Sequence, residues 1–180
     1  RRVLFRSLQE REFIPFKKAL RARAPMIMTA HILFPNIDEE WPATLSERFL
    51  KDILRDDFRF KGIIITDDLD MKALRNKYSI EDIAIQALNA GNNMLLYCNE
   101  PDSPVIALEG LHKALVDKAI DSKHIEESYK MIMALKKDIS VHAKPLLLDE
   151  AVKIIGQKKH KDLAQSIRDG VIPKNLSETV

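Results

Sequence analysis

Ten residues, Gly62-Ile63-Ile64-Ile65-Thr66-Asp67-Asp68-Leu69-Asp70-Met71, constrain this chain more than any other stretch. Three consecutive isoleucines suit a strand covered on both faces, as in a parallel sheet flanked by helices. The run gives way at Thr66 to two adjacent carboxylates and, after Leu69, to a third. Strands of this kind end at the carboxyl edge of a parallel sheet or barrel, where α/β enzymes place their chemistry. Alternation puts Asp67 with Ile63 and Ile65 and turns Asp68 to the opposite face. For an isolated Asp-Asp pair, however, capping a turn is the commoner role.

Hydrophobic spacing organises the rest. Leu8 to Ala22 has a helical pattern through Phe13, Phe16 and Leu20, which Pro15 interrupts or delays. Pro25 to Phe34 reads as a strand centred on Met-Ile-Met and ending in His31. Thr44 or Ser46 caps a helix over 47–58, whose apolar face is Phe49, Leu50, Ile53 and Leu54. Ser79 caps the next helix, with Asp82 in the capping-box position and Gly91 as the stop. A third strand covers Asn93 to Cys98, a helix runs from Ser103 to about Ile120, and an amphipathic helix spans Ser122 to Ile139. Beyond Lys144, two short helices separated by Gly156 end at Gly170, and residues 173–180 read as a frayed tail. Three strand-helix units in succession argue for an α/β fold with parallel strands near 26–31, 62–66 and 93–98, adjacent in that order.

Composition narrows the function. The net charge of +2 comes from interspersed basic and acidic residues, which gives no reason to propose nucleic acid or a membrane surface as partner. Cys98 is the only cysteine, which excludes an intrachain disulfide and a cysteine-rich metal site, and its apolar flank predicts a buried small residue. No apolar run approaches the ~20 residues needed to span a membrane. A full eight-unit barrel typically needs about 250 residues, more than the 180 present. Residues 1–7, Arg-Arg-Val-Leu-Phe-Arg-Ser, match the translation of a sequencing-library adapter and are read as non-native, which implies a truncated reading frame. The alternative is a genuine basic amphipathic start.

Several segments, taken in order, carry a resemblance. They are Met28-Thr29-Ala30-His31, Pro42-Ala43-Thr44-Leu45-Ser46, Leu50-Lys51-Asp52-Ile53-Leu54-Arg55, Phe60-Lys61-Gly62 and Thr66-Asp67-Asp68-Leu69-Asp70-Met71. Together they resemble the catalytic domain of glycoside hydrolase family 3, nearest to the bacterial β-N-acetylhexosaminidases of peptidoglycan recycling. The resemblance implies that residues 8–140 are the C-terminal portion of a (β/α)8 barrel, its last three strands, followed by a C-terminal helical extension over 141–180. It also implies a cytoplasmic enzyme without cofactor or metal, acting on a β-N-acetylglucosaminide or muropeptide-like glycan. The first acid of the family's pair is the nucleophile, which falls on Asp67, and a methionine near the acetamido pocket falls on Met71. The family's acid/base histidine with its aspartate, its Lys-His pair and its sugar-holding Arg and Asp precede this segment and have no counterpart here.

Such chemistry needs a carboxylate beneath the anomeric carbon and an acid above the leaving oxygen, and Asp67 suits the first role. Asp68 is assigned to loop support and Asp70 to solvent or a cap; Asp70 departs from the small polar residue expected there. His31, at a strand end, either lines the sugar pocket or bonds a loop carbonyl. Met71 either borders the pocket or fills a core gap. His112, His124, His142 and His160 are expected on the surface, as is the basic run Lys158-Lys159-His160-Lys161. Two other classes compete. A magnesium-assisted enzyme would need a further ligand from His31 or Asn99-Glu100, and a non-catalytic barrel remnant or interaction module would use its carboxylates only as caps.

Overall fold

The computed structural model describes residues 8–142 and 147–171. The expectations for residues 1–7 and 173–180 lie outside them. The chain divides into two compact units after Asp138.

The first unit is built on three parallel strands in the order β1-β2-β3: β1 (Met26–Met28), β2 (Ile63–Asp68) and β3 (Met94–Leu96). A π-type turn, Leu8–Glu12, leads into helix α1 (Phe13–Arg21). Pro15, which has no N–H to donate, lies in the first turn of α1, close to this join, rather than ending the helix. Between β1 and β2 come a 3-10 turn, Ala43–Leu45, and helix α2 (Arg48–Asp57), whose turns are of the wider π type. Helices α3 (Lys72–Arg75) and α4 (Ile80–Ala90) link β2 to β3, and α5 (Ser103–Val116) and α6 (Ser122–His142) follow. The expected strands are all present, parallel and in the expected order.

Local chemistry explains the bounds. The Ser46 hydroxyl accepts the N–H of Phe49 and donates to Asp38 at 2.6 Å, so it is Ser46 that caps α2. Burial works against the charge of Asp38, yet hydrogen bonds from Ser46 and from the N–H groups of Trp41 and Glu40, with Arg48 nearby, hold its carboxyl below the ordinary value. Ser79 accepts the N–H of Asp82 to open α4, and Gly91, at φ 112°, closes it in the left-handed conformation. β1 is shorter than expected. After Thr29, whose N–H still reaches Ile65, the backbone turns to the 43–45 segment, where Ala30 and Ile32 carbonyls accept from Thr44 and Ala43.

Packing follows the predicted faces. Phe49, Leu50, Ile53 and Leu54 are all buried, in one cluster with Ile64, Phe60 and Ala90. Leu45, Leu69, Leu74, Ile83 and Ala87 form a second cluster beside Trp41, Tyr78 and Tyr97. At the start of β2, the Asn93 side-chain oxygen accepts the N–H of Ile64 at 2.9 Å and the Arg55 guanidinium at 2.8 Å, while its amide donates to Ser128. Arg55 also donates to the carbonyls of Phe60 and Gly62.

The second unit contains the end of α6, then α7 (Leu148–Ile154) and α8 (Lys158–Arg168), with Gly156 and Gly170 at φ 68° and 67° after their ends. Lys158, Lys159, His160 and Lys161 are exposed on α8. No helix among the described residues is long and apolar enough to cross a membrane.

The Asn93 junction generates a stability prediction. Asn93→Ala leaves the buried N–H of Ile64 without its acceptor and Arg55 without one of its three, and should lower the unfolding free energy by about 2–4 kcal/mol. Urea denaturation followed by circular dichroism checks this; a loss below about 0.5 kcal/mol, the range of an ordinary surface change, would contradict it.

Candidate active site

The three acids lie at the carboxyl end of β2, and a register irregularity sets them. Ile65 pairs with Met94 but Asp68 with Leu96, so β2 carries one residue more than β3 over this interval. The buried Thr66 hydroxyl stands in for a backbone acceptor by taking the N–H of Leu96 at 2.9 Å. Alternation still holds: Ile65 and Asp67 are half-buried, whereas Thr66 and Asp68 are buried.

Asp68 and Asp67 are used differently. Asp68 Oδ1 accepts the N–H groups of Asp70 and Cys98, and Oδ2 accepts the Asn99 side-chain amide at 2.5 Å. Asp68 thus laces the loop after β2 to the loop after β3, the support role expected of it. Asp70 adds to this lacing: its Oδ2 accepts the N–H groups of Glu100 at 3.1 Å and Asn99 at 3.4 Å. Asp67, by contrast, has one side-chain hydrogen bond among the described residues, from the N–H of Asp68 to Oδ1 at 2.8 Å.

His31 reaches the same edge from the segment that follows β1, beyond the strand end where it was expected, because β1 stops at Met28. Its Nε2 lies 2.8 Å from the Asp68 carbonyl and its Nδ1 2.8 Å from the Thr44 hydroxyl. A carbonyl only accepts, so Nε2 carries the proton. Thr29 donates to Thr44 at 3.0 Å, which leaves the Thr44 hydroxyl to donate to Nδ1. Both ring nitrogens are committed within the fold, and the half-buried imidazole offers a ligand only its carbon faces. Met71 is 41% exposed beside the acids. Asp70 Oδ1, Arg75 Nη1 and Tyr97 Oη are buried atoms without a hydrogen-bond partner among the described residues. Burial and the charge of Asp70 push the Tyr97 hydroxyl up to about 12, partly offset by Arg75.

Two expectations need correction. Cys98 is exposed rather than buried, because β3 ends at Leu96 and the chain has already left the sheet. His124 is half-buried, with Nε2 2.9 Å from the Asn92 carbonyl, because α6 packs that residue over the amino end of β3. His112 and His160 are exposed as expected, and the side chain of His142 lies outside the described residues. The magnesium alternative finds no ligand set: Asn99 is bound to Asp68 and His31 to backbone, and no group of three or more His, Cys, Asp or Glu among the described residues could hold a metal ion. Sequence reasoning missed Thr44 as the partner of His31 and Asn99 as the partner of Asp68. For Asn99 a signal existed, since it follows β3 as Asp68 ends β2.

Local desolvation together with the negative charges of Asp68, Asp67 and Asp70 pushes the Cys98 thiol above its ordinary value. A raised thiol has less thiolate at a given pH and reacts more slowly. Alkylation of Cys98 by iodoacetamide at pH 8 should therefore be slower than that of an unstructured cysteine peptide, and Asp67→Asn should speed it up. Rates that do not respond to Asp67→Asn would refute this coupling.

The family description "Glycosyl hydrolase family 3 N terminal domain" matches residues 4–135. A β-hexosaminidase of Nitrosomonas eutropha is 39% identical over 122 residues, 68% of this chain and 34% of that protein. One from Actinobacillus pleuropneumoniae is 35% identical over 64% of this chain and 33% of its own length. Among solved structures, the β-N-acetylglucosaminidase of Thermotoga maritima superposes with a TM-score of 0.67 at 37% identity, covering 72% of this chain and 29% of that one. A family 3 β-N-acetylglucosaminidase from a Paenibacillus species gives 0.71 at 31%, covering 76% and 26%. The chain spans about a third of the length of these curated relatives. With its parallel α/β fold and more than half its length matched, the chain belongs to glycosyl hydrolase family 3.

Proposed function

We propose that this chain forms part of a retaining β-N-acetylhexosaminidase that removes terminal β-linked N-acetylglucosamine from peptidoglycan-derived, muropeptide-like glycans in the cytoplasm, with Asp67 as nucleophile. The observation that carries the reading is the division of labour at the end of β2. Among the described residues, Asp68 is bound on both oxygens by three donors, whereas Asp67 has a single hydrogen bond, from the next N–H. A nucleophile must approach carbon, and the less encumbered carboxylate is the one able to do so.

In this reading the three strands are the closing part of a (β/α)8 barrel, a view supported by their parallel order and by the family match. Asp67 attacks the anomeric carbon as the glycosidic C–O bond breaks, giving a glycosyl ester, and the aglycone oxygen takes a proton from an acid group. Water then cleaves the ester with restored configuration. In this reading that acid group comes from an earlier segment of the barrel, as the family resemblance implies. Met71 borders the acetamido group, and His31 lines the pocket with its ring face while its nitrogens fix the backbone carrying Asp67 and Asp68.

Two outcomes test this. In the full-length polypeptide, a fluorinated mechanism-based N-acetylglucosaminide should label Asp67 and leave Asp68 and Asp70 unmodified in peptide mapping. Asp67→Ala should remove most of kcat, while Asp68→Asn should act mainly on stability; a label on Asp68, or near-normal kcat in Asp67→Ala, overturns the assignment. Residues 8–180 alone should not hydrolyse an aryl β-N-acetylglucosaminide at a useful rate, since general acid help contributes about 10²–10⁴-fold. Turnover by that segment, abolished by Asp67→Asn, would place the acid within it.

A further inference from the structure

At the opposite pole of the sheet, where Pro25 and Gly62 lead into β1 and β2, a cleft of about 730 Å³ is lined by Lys17, Arg21, Arg23, Asp57, Arg59 and Lys61 over an apolar floor that includes Phe58 and Phe60. Five cations thus face one carboxylate. Among the described residues none of the five forms an ion pair; Lys17 alone has a partner, the Phe58 ring at 5.0 Å from Nζ. Arg55 adds a further positive charge behind this wall, its guanidinium holding the Phe60 and Gly62 carbonyls. Like charges gathered this closely repel one another, and a bound anion relieves the repulsion. The sequence disperses these residues between 17–23 and 57–61; only the fold unites them.

The backbone shows what the fold gives up to place two of them. Arg23 and Arg59 have φ 60° and 55°, the left-handed conformation that favours glycine at the residue after a helix. Arg23 closes α1 by donating its N–H to Leu20 while Ala24 donates to Ala19, and Arg59 follows α2 in the same way, with Phe60 donating to Leu54. At three other helix ends the chain uses glycine, at Gly91, Gly156 and Gly170. A helix C-terminus favours a cation in its own right, and Lys118, at φ 59° after α5, is the internal control for that effect because it lies outside the cleft.

We propose that this cleft binds a small molecule carrying a chain of two or three phosphates. The excess of cations over acid matches the three to four charges of such a chain, which a single phosphate does not neutralise. Arginine, with its planar fork of donors, is the side chain suited to phosphate oxygens. The size of the cleft lies within the range of small-molecule sites. The site is independent of the acids at the far edge and of the proposed hydrolase reading.

Isothermal titration of the 180-residue chain with inorganic tripolyphosphate tests this. Saturable one-to-one binding is expected. The double variant Arg23→Gly/Arg59→Gly relieves the left-handed backbone, so it should raise the melting temperature while weakening affinity by at least about tenfold. Lys118→Gly should also raise the melting temperature but leave affinity within about twofold. Absence of saturable binding, unchanged affinity in the double variant, or an equal loss in Lys118→Gly overturns the proposal. Tighter binding of phosphatidylglycerol vesicles or of a single-stranded DNA oligonucleotide than of tripolyphosphate overturns it as well.

Discussion

The side-chain amide of Asn93 sets the geometry on which the first unit depends. Its oxygen takes the N–H of Ile64 while its own backbone N–H goes to the Ile64 carbonyl, so one residue completes two bonds to β2. The same oxygen receives Arg55 from the end of α2, and the amide nitrogen reaches Ser128 on α6. Burial takes the Arg55 guanidinium partly out of water and lowers it below its ordinary value. An arginine so placed needs acceptors, and it finds three: Phe60, Gly62 and Asn93. Gly62 in turn has no room for a side chain, since a Cβ there would lie 2.4 Å from the Pro25 carbonyl. The entry to β2 is thereby fixed in register against both neighbours, and a strand fixed at its start delivers its last residues to a defined place.

That place is the acid pair, and here the fold separates two tasks. One carboxylate organises the loops after β2 and β3, and its neighbour has, among the described residues, a single hydrogen bond from the backbone. The histidine after β1 serves the same organisation, reading the Asp68 carbonyl through a tautomer set by a threonine pair. The edge is thus held by the segments that follow β1 and β3, both bonded to Asp68 at the end of β2.

Much of this was legible because each signal was local. The isoleucine run, the serine at the start of α4 and the glycines after α4, α7 and α8 depend on φ/ψ preferences and nearest neighbours, which a linear pattern records. Strand parity put the two acids on opposite faces, and the family resemblance assigned the supporting place to Asp68. Other features needed contacts between distant segments. Nothing around His31 announces Thr44 or the Asp68 carbonyl as its partners. Cys98 read as buried because its neighbours are apolar, but β3 ends two residues earlier, and strand ends are where such patterns lose phase. His124 was misjudged because helical spacing does not show which turn of α6 covers Asn92. The basic cleft was hidden for a different reason: charge interspersed along the chain became concentrated only when two helix ends met.

The extra residue of β2 opposite β3 has a consequence for how the site tolerates change in length. Between Ile65 and Asp68 the strand advances three residues while its partner advances two, with Thr66 absorbing the mismatch through its hydroxyl. Because adjacent side chains face opposite ways, removing one residue of β2 upstream of the pair would move each acid back by one place and turn it to the opposite face. Asp68 would take the half-buried place now held by Asp67, Asp67 the buried place now held by Thr66, and the apolar Leu69 would stand where the loop lacing needs a carboxylate. Substitution can blunt such an arrangement by degrees, but a deletion here acts as a toggle, turning the open carboxylate inward and leaving the position that laces the loops without an acceptor.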